Sequence, residues 1–111
     1  PMQKFEYKKH ITKNGLVAVL VSPGFGAGWS TWAHDPDVKE ALIFDSVLVE
    51  LVLSGDFDSA ARYAEHKYDA YAGGAEDLTV KWVPQGEQFE IAEYDGSERL
   101  RIISQCKFHT A

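Results

Sequence analysis

The residues whose types and spacing could do chemistry are concentrated between Ser22 and Trp32. Glycines at positions 24, 26 and 28 allow backbone angles that other residues rarely adopt, and they let another molecule approach the main chain. The same eleven residues hold two tryptophans, one phenylalanine and three hydroxyl side chains. Exposed N–H groups can bind an anion and aromatic faces can stack on a ring, as a nucleotide-like ligand requires. The predicted ligand-binding residues are Ser22, Gly24, Phe25, Gly26, Gly28, Trp29, Ser30, Thr31 and Trp32.

This loop matches no complete phosphate-binding or nucleophile motif. Its G-x-G-x-G spacing lacks the further glycine of the dinucleotide fingerprint and the Gly-Lys-Ser/Thr end of a Walker A loop. No G-x-S-x-G nucleophile elbow is present either. Two alternatives to ligand binding therefore stay open. Either the glycines shape a tight crossover while Phe25, Trp29 and Trp32 fill the end of the core, or the loop contacts another protein.

The other reactive side chains form no recognised catalytic or metal-binding set. The histidines at positions 10, 34, 66 and 109 lack the spacing of a zinc site, so no metal is predicted. Cys106 and His109 are close in sequence, whereas catalytic Cys–His pairs are assembled from distant parts of a chain. We predict no catalytic residue and no cofactor.

Acidic and tyrosine side chains are the remaining candidates. Carboxylates flank the predicted turns, where they commonly make local hydrogen bonds. An enzyme that uses them in a groove is a third alternative; they are Glu76, Asp77, Glu93, Asp95 and Glu98. Several aromatic residues could line a groove or simply fill a helix–sheet interface; they are Tyr63, Tyr68, Tyr71, Tyr94 and Trp82.

The elements that must position the loop can be read from periodicity and end signals. Apolar and polar residues alternate over residues 4–11 and predict a half-buried strand, and the apolar run over 16–21 predicts a strand covered on both faces. Capping residues predict three helices, starting at Asp35, at Asp45 or Ser46, and at Asp56 or Asp58. Gly55 ends the second helix, and glycines 73 and 74 close the helical section.

The last third of the chain returns to strands. Alternation predicts strands over 78–82, 89–92 and 100–103, with a hairpin turn at residues 95–96. The order β-β-α-α-α-β-β-β predicts an α+β fold, in which one antiparallel sheet of about five strands carries helices on one face. The last three strands are expected to form a meander. Residues 2–111 are predicted to form a single domain, and Pro1 is expected to be a tag remnant.

Composition and charge exclude several classes of protein. The chain has 111 residues, 45% hydrophobic and 25% charged, as in ordinary globular domains. Its net charge of −6 is uneven, with +3 in residues 1–34 and −9 in the remainder. The acidic surface argues against general nucleic-acid binding. Because the sequence has no apolar run of about 18 residues, no signal peptide and no second cysteine, we expect a protein of the reducing cytoplasm of the cell that makes it, without membrane contact.

Three segments carry a resemblance to known proteins. They are SPGFGAGWSTW at 22–32, YAGGAEDL at 71–78 and FEIAEYDGSE at 89–98. Together they resemble a group of small uncharacterised proteins of bacteriophages and prophages, and the resemblance covers most of the chain. It implies a context in which small acidic proteins bind host factors, and in which some counter-defence proteins sequester nucleotide signals or inhibit nucleases.

The leading functional prediction is a non-enzymatic binding protein, with phage counter-defence as one setting. It would hold a nucleotide-like or anionic small ligand at loop 22–32, and Lys8, Lys9 and Lys13 would offset phosphate charge. The alternative is an acidic, anti-CRISPR-like protein inhibitor of a host nuclease or defence effector. The orientation of Trp29 and Trp32 bears on this choice, because two inward-facing rings would contradict a ligand site on the loop. The sequence leaves the oligomeric state open.

Overall fold

A computed structural model describes residues 4–105 and has an α+β fold with three α-helices and two antiparallel two-stranded sheets. The strands are β1 (Leu16–Val21), β2 (Thr79–Pro84), β3 (Phe89–Tyr94) and β4 (Ser97–Ile102). The helices are α1 (Pro36–Phe44), α2 (Ser46–Leu53) and α3 (Phe57–Tyr68), with short 3₁₀ turns at Ser30–Trp32, Ala75–Asp77 and Ile103–Gln105. Over the described residues, none of the helices has the length and apolar character needed to span a bilayer.

Strand β1 lies at the centre of the molecule. It pairs antiparallel with β2, from Leu16 opposite Pro84 to Val21 opposite Thr79, and all its residues after the first are buried. The predicted cover on both faces of β1 is therefore confirmed. Helices α1 and α2 pack against this sheet, and Leu20, Leu42, Leu48 and Trp29 are among the fully buried side chains of the core.

The predicted strand over residues 4–11 is wrong. This segment contributes only two isolated bridges, one between Lys9 and Asp45 and one between Ile11 and Val17. The carbonyl oxygen of Lys8 accepts a hydrogen bond of 2.7 Å from the N–H of Ser46 at the start of α2. The carbonyl of His10 accepts the N–H of Ala18 at 2.9 Å, so the segment joins the edge of β1 only at its end, after its main chain has bonded to the junction of α1 and α2.

The three helix starts follow the predicted capping chemistry. Asp35 accepts a hydrogen bond from the N–H of residue 37, with Pro36 as the first helical residue. Asp45 caps α2 and Asp56 caps α3 in the same way. Gly55, with a φ of 78°, follows the end of α2 as expected. Helix α3 ends earlier than the glycine pair, because Asp69 adopts the left-handed conformation with a φ of 52°.

Residues 4–105 do not form a single five-stranded sheet, and the predicted meander is wrong. Strand β2 pairs with β1, while β3 and β4 form a separate hairpin. Pro84 has no N–H and ends β2, and Gly86 with a φ of 91° turns the chain away before β3 begins. The hairpin bonds to the residue that follows β1, since the N–H of Glu98 donates to the carbonyl of Ser22 at 2.9 Å. The predicted turn at residues 95–96 is confirmed, and its tip packs on loop 22–32.

Candidate functional site

Loop 22–32 leaves the end of β1 and wraps around the tip of the β3–β4 hairpin. The N–H of Gly26 donates to the carbonyl of Asp95 at 2.7 Å, and the hydroxyl of Ser97 donates to the carbonyl of Pro23 at 2.7 Å. A Cβ on Gly96 would lie 2.4 Å from the backbone nitrogen of Ala27. Loop and hairpin are therefore in direct main-chain contact, which requires glycine at this turn position.

The carboxylate of Glu98 is enclosed by this loop. Its Oε1 accepts the N–H of Ser22 at 3.0 Å, and its Oε2 accepts the N–H groups of Trp29 and Thr31 at 2.9 and 3.0 Å. The Thr31 hydroxyl donates to the same Oε2 at 2.6 Å, and Glu98 is only 1% exposed. All four partners are donors, which matches an ionised carboxylate because such a group only accepts. The loop thus binds an anion, and that anion is supplied by the chain itself.

The polar groups that the sequence assigns to a ligand are directed inward. The hydroxyl of Ser22 donates to the carbonyl of Gly74 at 2.8 Å, and that of Thr31 is bound to Glu98. The hydroxyl of Ser30 is buried and has no hydrogen-bond partner within residues 4–105. Ligand binding by these residues stays a prediction, and an external anion would have to compete with Glu98 for the loop amides.

The three glycines of the loop differ in what a side chain would meet at each position. Only Gly26 has a positive φ, of 84°. A Cβ on Gly24 would lie 2.2 Å from a carboxylate oxygen of Asp77, and one on Gly28 would lie 2.4 Å from the ring of Trp32. Close packing therefore explains Gly28 and the backbone angle explains Gly26, whereas the exposed side chain of Asp77 can shift to make room at position 24.

The three aromatic residues of the loop point in different directions. Trp29 is fully buried, and its indole N–H donates to the carbonyl of Leu42 at 2.9 Å. Trp32 is 37% exposed, and Phe25 is 69% exposed on another side of the hairpin tip. Trp29 thus fills the core as the crossover alternative requires, whereas Trp32 remains accessible to a ligand.

Trp32 forms one wall of an open groove of about 660 Å³, which we call the aromatic groove. Its ring stacks on that of Tyr71, with centroids 5.4 Å apart and planes inclined by 28°. The indole N–H of Trp32 donates to Glu93 at 3.0 Å, which fixes the ring. This bond and the N–H of Gly96 hold the pKa of the Glu93 carboxyl below its ordinary value. The groove is lined by Lys4, Phe5, Trp32, Ala33, His34, Asp35, Val38, His66, Lys67, Tyr68, Asp69, Ala70 and Tyr71.

Charged groups of both signs surround the aromatic groove. Lys4 and Asp35 form an ion pair of 2.8 Å, which raises the pKa of Lys4 and lowers the pKa of Asp35. Lys67 donates to the hydroxyl of Tyr63. Burial lowers the pKa of Lys67, but this hydrogen bond and the nearby carboxylate of Asp45 outweigh burial and raise it overall. With its histidines neutral the lining has no net formal charge, although the whole chain carries −6.

Asp45 is a second buried carboxylate, for which the sequence predicts only a helix-capping role. Asp45 is 1% exposed and accepts hydrogen bonds from the hydroxyls of Tyr63 and Tyr68, at 2.8 and 2.5 Å, while it caps α2. Burial, followed by this hydrogen bond and the charge of Asp45, raises the pKa of Tyr68 far above its ordinary value. The cluster ties α3 to the junction of α1 and α2 and forms the floor beside the aromatic groove.

The other sequence candidates are dispersed. His34 and His66 line the aromatic groove, His10 lies against Trp82 on β2, and no group of three or more potential metal ligands occurs in the described part of the chain. Cys106 and His109 lie outside the described residues. The five tyrosine and tryptophan candidates do not share one groove, since Tyr94 lies on the hairpin and Tyr63 on Asp45.

The remaining charged candidates are also apart from one another. Asp77 lies beside Gly24, the carbonyl of Asp95 pairs with loop 22–32, and Glu76 is exposed. None of the three predicted charge-offsetting lysines lines the aromatic groove; they are Lys8, Lys9 and Lys13. Lys9 instead lies over the ring of Phe44, 4.3 Å from its centroid.

Comparison with known proteins returned no match: no protein-family model, curated protein or solved structure is similar to this chain.

Proposed function

We propose that this protein is a non-enzymatic binding protein that holds a flat, anionic small molecule of the nucleotide type in the aromatic groove. The observation that best supports this proposal is the stacked pair of Trp32 and Tyr71, which are 37% and 49% exposed on one wall of an open groove. Stacking of a base on an aromatic side chain contributes about 1–3 kcal/mol. Of the loop residues predicted to bind a ligand, Trp32 is the one that lines this groove.

The anionic group of such a ligand would bind at the two lysines that border the aromatic groove. The ammonium groups of Lys4 and Lys67 border the groove, and each is held in place by a hydrogen bond. Both are already paired, so a phosphate would share them with Asp35 and Asp45 rather than find free cations. In this proposal, stacking of the ligand's ring on the aromatic side chains therefore contributes most of the affinity. The ligand's anionic group contributes its orientation in the groove.

The two buried carboxylates hold the fold together and present no catalytic group to the aromatic groove. Glu98 and Asp45 are each surrounded by donors from the protein and are 1% exposed, so neither faces a ligand in the aromatic groove. A catalytic acid or base must reach the proton that it transfers. The bacteriophage counter-defence setting is part of the same proposal and rests on the three resembling segments.

Thermal unfolding and calorimetry with nucleosides, nucleoside monophosphates and cyclic nucleotides test this function. A ligand at a hundred times its dissociation constant stabilises the fold by about 2.7 kcal/mol, which is a clear rise in melting temperature. Tyr71→Ala should weaken binding by about tenfold or more, because it removes half of the stacking wall. Tyr94→Ala is the matched control, since it removes an exposed tyrosine outside the groove and should leave binding unchanged.

The proposal fails if no member of the panel raises the melting temperature. It also fails if Tyr71→Ala and Tyr94→Ala weaken binding equally, because binding would then not depend on the groove.

A further inference from the structure

The outer edge of β3 presents main-chain groups that no described hydrogen bond engages. The N–H of Ile103 donates to the carbonyl of Gln88 at 2.9 Å, which fixes the phase of the β3–β4 ladder. Hydrogen-bonded and non-bonded pairs alternate in antiparallel sheets, so the N–H and C=O groups of Phe89, Ile91 and Glu93 point away from β4. An unpaired edge of this kind is a template for another strand.

The solvent face beside this edge has an unusual set of side chains. Phe25 and Tyr94 are 69% and 78% exposed, and they border a cleft of about 420 Å³. Arg99 lies opposite Ala92 in the hairpin register and lines the same cleft. The small Ala92 side chain leaves open space between Arg99 and any strand added along β3.

Arg99 is a cation without an ion-pair partner in the described part of the chain. Its neighbour on the same face, Arg101, is bound to Glu90 at 3.2 Å. A strand that adds to β3 would therefore complement this face best if it placed a carboxylate opposite Ala92.

We propose that this edge pairs with the β3 edge of a second copy of the chain, forming a four-stranded antiparallel sheet across a two-fold axis at Ile91. In this register Ile91 faces its own copy, and Phe89 faces Glu93 of the second copy. Each residue whose N–H and C=O groups point away from β4 then lies opposite another such residue of the second copy. The two edges exchange about six main-chain hydrogen bonds.

The same register satisfies the charges on the solvent face. It places Glu90 of the second copy opposite Ala92, with Arg99 on the far side of that small residue. Strands lie about 4.8 Å apart, so the long arginine and glutamate side chains can meet over the alanine. The side chain of Gln88 from the second copy lies opposite Tyr94 and occupies the cleft beside it. The sequence of β3 is thus complementary to itself in both hydrogen bonding and charge.

Sedimentation equilibrium of the whole chain at about 1–300 μM, at low and high salt, tests the dimer. We expect a reversible monomer–dimer equilibrium that weakens as salt increases. Arg99→Glu should weaken the dimer about tenfold, because the contact occurs twice per dimer and becomes a like-charge contact. Adding Glu90→Lys to this variant should restore dimerisation. Lys81→Glu, the same charge change on β2, should have no effect.

A monomer at all concentrations would overturn the proposal, and so would a dimer that Arg99→Glu leaves unchanged. Circular dichroism of each variant verifies that the monomer is folded. Because Tyr71 contributes no group to the β3 edge, Tyr71→Ala should dimerise like the wild type even where it loses the small ligand.

Discussion

Replacing Glu98 with glutamine tests whether the enclosed carboxylate holds loop 22–32 on the hairpin. The amide oxygen of Glu98→Gln can take the place of Oε2 and keep the three donors from Trp29 and Thr31. Its NH₂ group then faces the N–H of Ser22, which is a donor facing a donor. The substitution changes neither size nor shape, so the effect reports hydrogen bonding and charge.

The expected loss can be worked from these contacts. Hydrogen bonds to charged groups contribute about 1.5–3 kcal/mol, against about 0.5–1.5 kcal/mol for neutral pairs, and an unsatisfied buried donor costs about 1–3 kcal/mol. Three bonds weakened by about 1 kcal/mol or slightly more each, together with one buried donor left unsatisfied at about 1–3 kcal/mol, therefore give a loss of about 4–7 kcal/mol. The neutral amide also avoids the cost of burying a carboxylate that has no cation beside it, and this offsets part of the loss. We expect Glu98→Gln to lower the free energy of unfolding by about 2–4 kcal/mol, a large share of the stability of a small domain.

Urea unfolding followed by circular dichroism and by tryptophan fluorescence measures this loss. Glu50→Gln is the matched control, because this carboxylate is exposed on α2 and lies outside loop 22–32 and the β3 edge. That change should stay within about 0.5 kcal/mol. If Glu98→Gln costs less than about 1 kcal/mol, the carboxylate does not hold the loop and the reasoning is wrong.

Three further predictions follow from contacts around the loop and the groove. Tyr68→Phe removes a hydroxyl that donates to the buried Asp45, so urea unfolding should show a free energy of unfolding lower by about 1.5–3 kcal/mol. A loss below about 0.5 kcal/mol would contradict a stabilising role for this hydrogen bond. Gly74→Ala places a Cβ 2.3 Å from the carbonyl oxygen of Gly28, so the melting temperature should fall clearly; an unchanged value would contradict the close approach. The pKa of Glu93 is lowered in the fold, so its stabilising effect is present above its unfolded pKa near 4.5 and is lost as the pH falls through the lower folded value. Lowering the pH from about 5 to about 3 should therefore reduce the melting temperature of the wild type more than that of Glu93→Gln. An equal fall in the two melting temperatures would contradict the lowered pKa of Glu93.

Local signals in the sequence predicted the helices and the hairpin turn well. The aspartate caps at residues 35, 45 and 56 and the turn at 95–96 depend on contacts within a few residues, so the chain itself specifies them. The segment over 4–11 alternates like a strand, but its pairing depends on which distant main chain is available. The N–H of Ser46 donates to the carbonyl of Lys8, and no local sequence pattern shows that this bond competes with strand pairing.

The candidate site was predicted in part. The residue types identify the loop as rich in anion-binding donors, but they do not distinguish Glu98, which occupies those donors, from ordinary turn carboxylates. One signal could have identified Glu98, because it shares its face of β4 with Leu100 and Ile102 at a period of two. The aromatic groove depends on residues from the N-terminal segment, the loop and the end of α3, and only the tertiary fold brings Lys4, Trp32 and Tyr71 together.

The most direct test of the account is an amide chemical-shift titration of the ¹⁵N-labelled protein with adenosine monophosphate at millimolar concentration. We expect the shifts to be confined to the groove, at residues 32–35 and 66–71. The amides of Ser22, Trp29 and Thr31 should not move, because Glu98 already occupies them. Shifts centred on those three amides, or no shifts at all, would contradict binding in the aromatic groove.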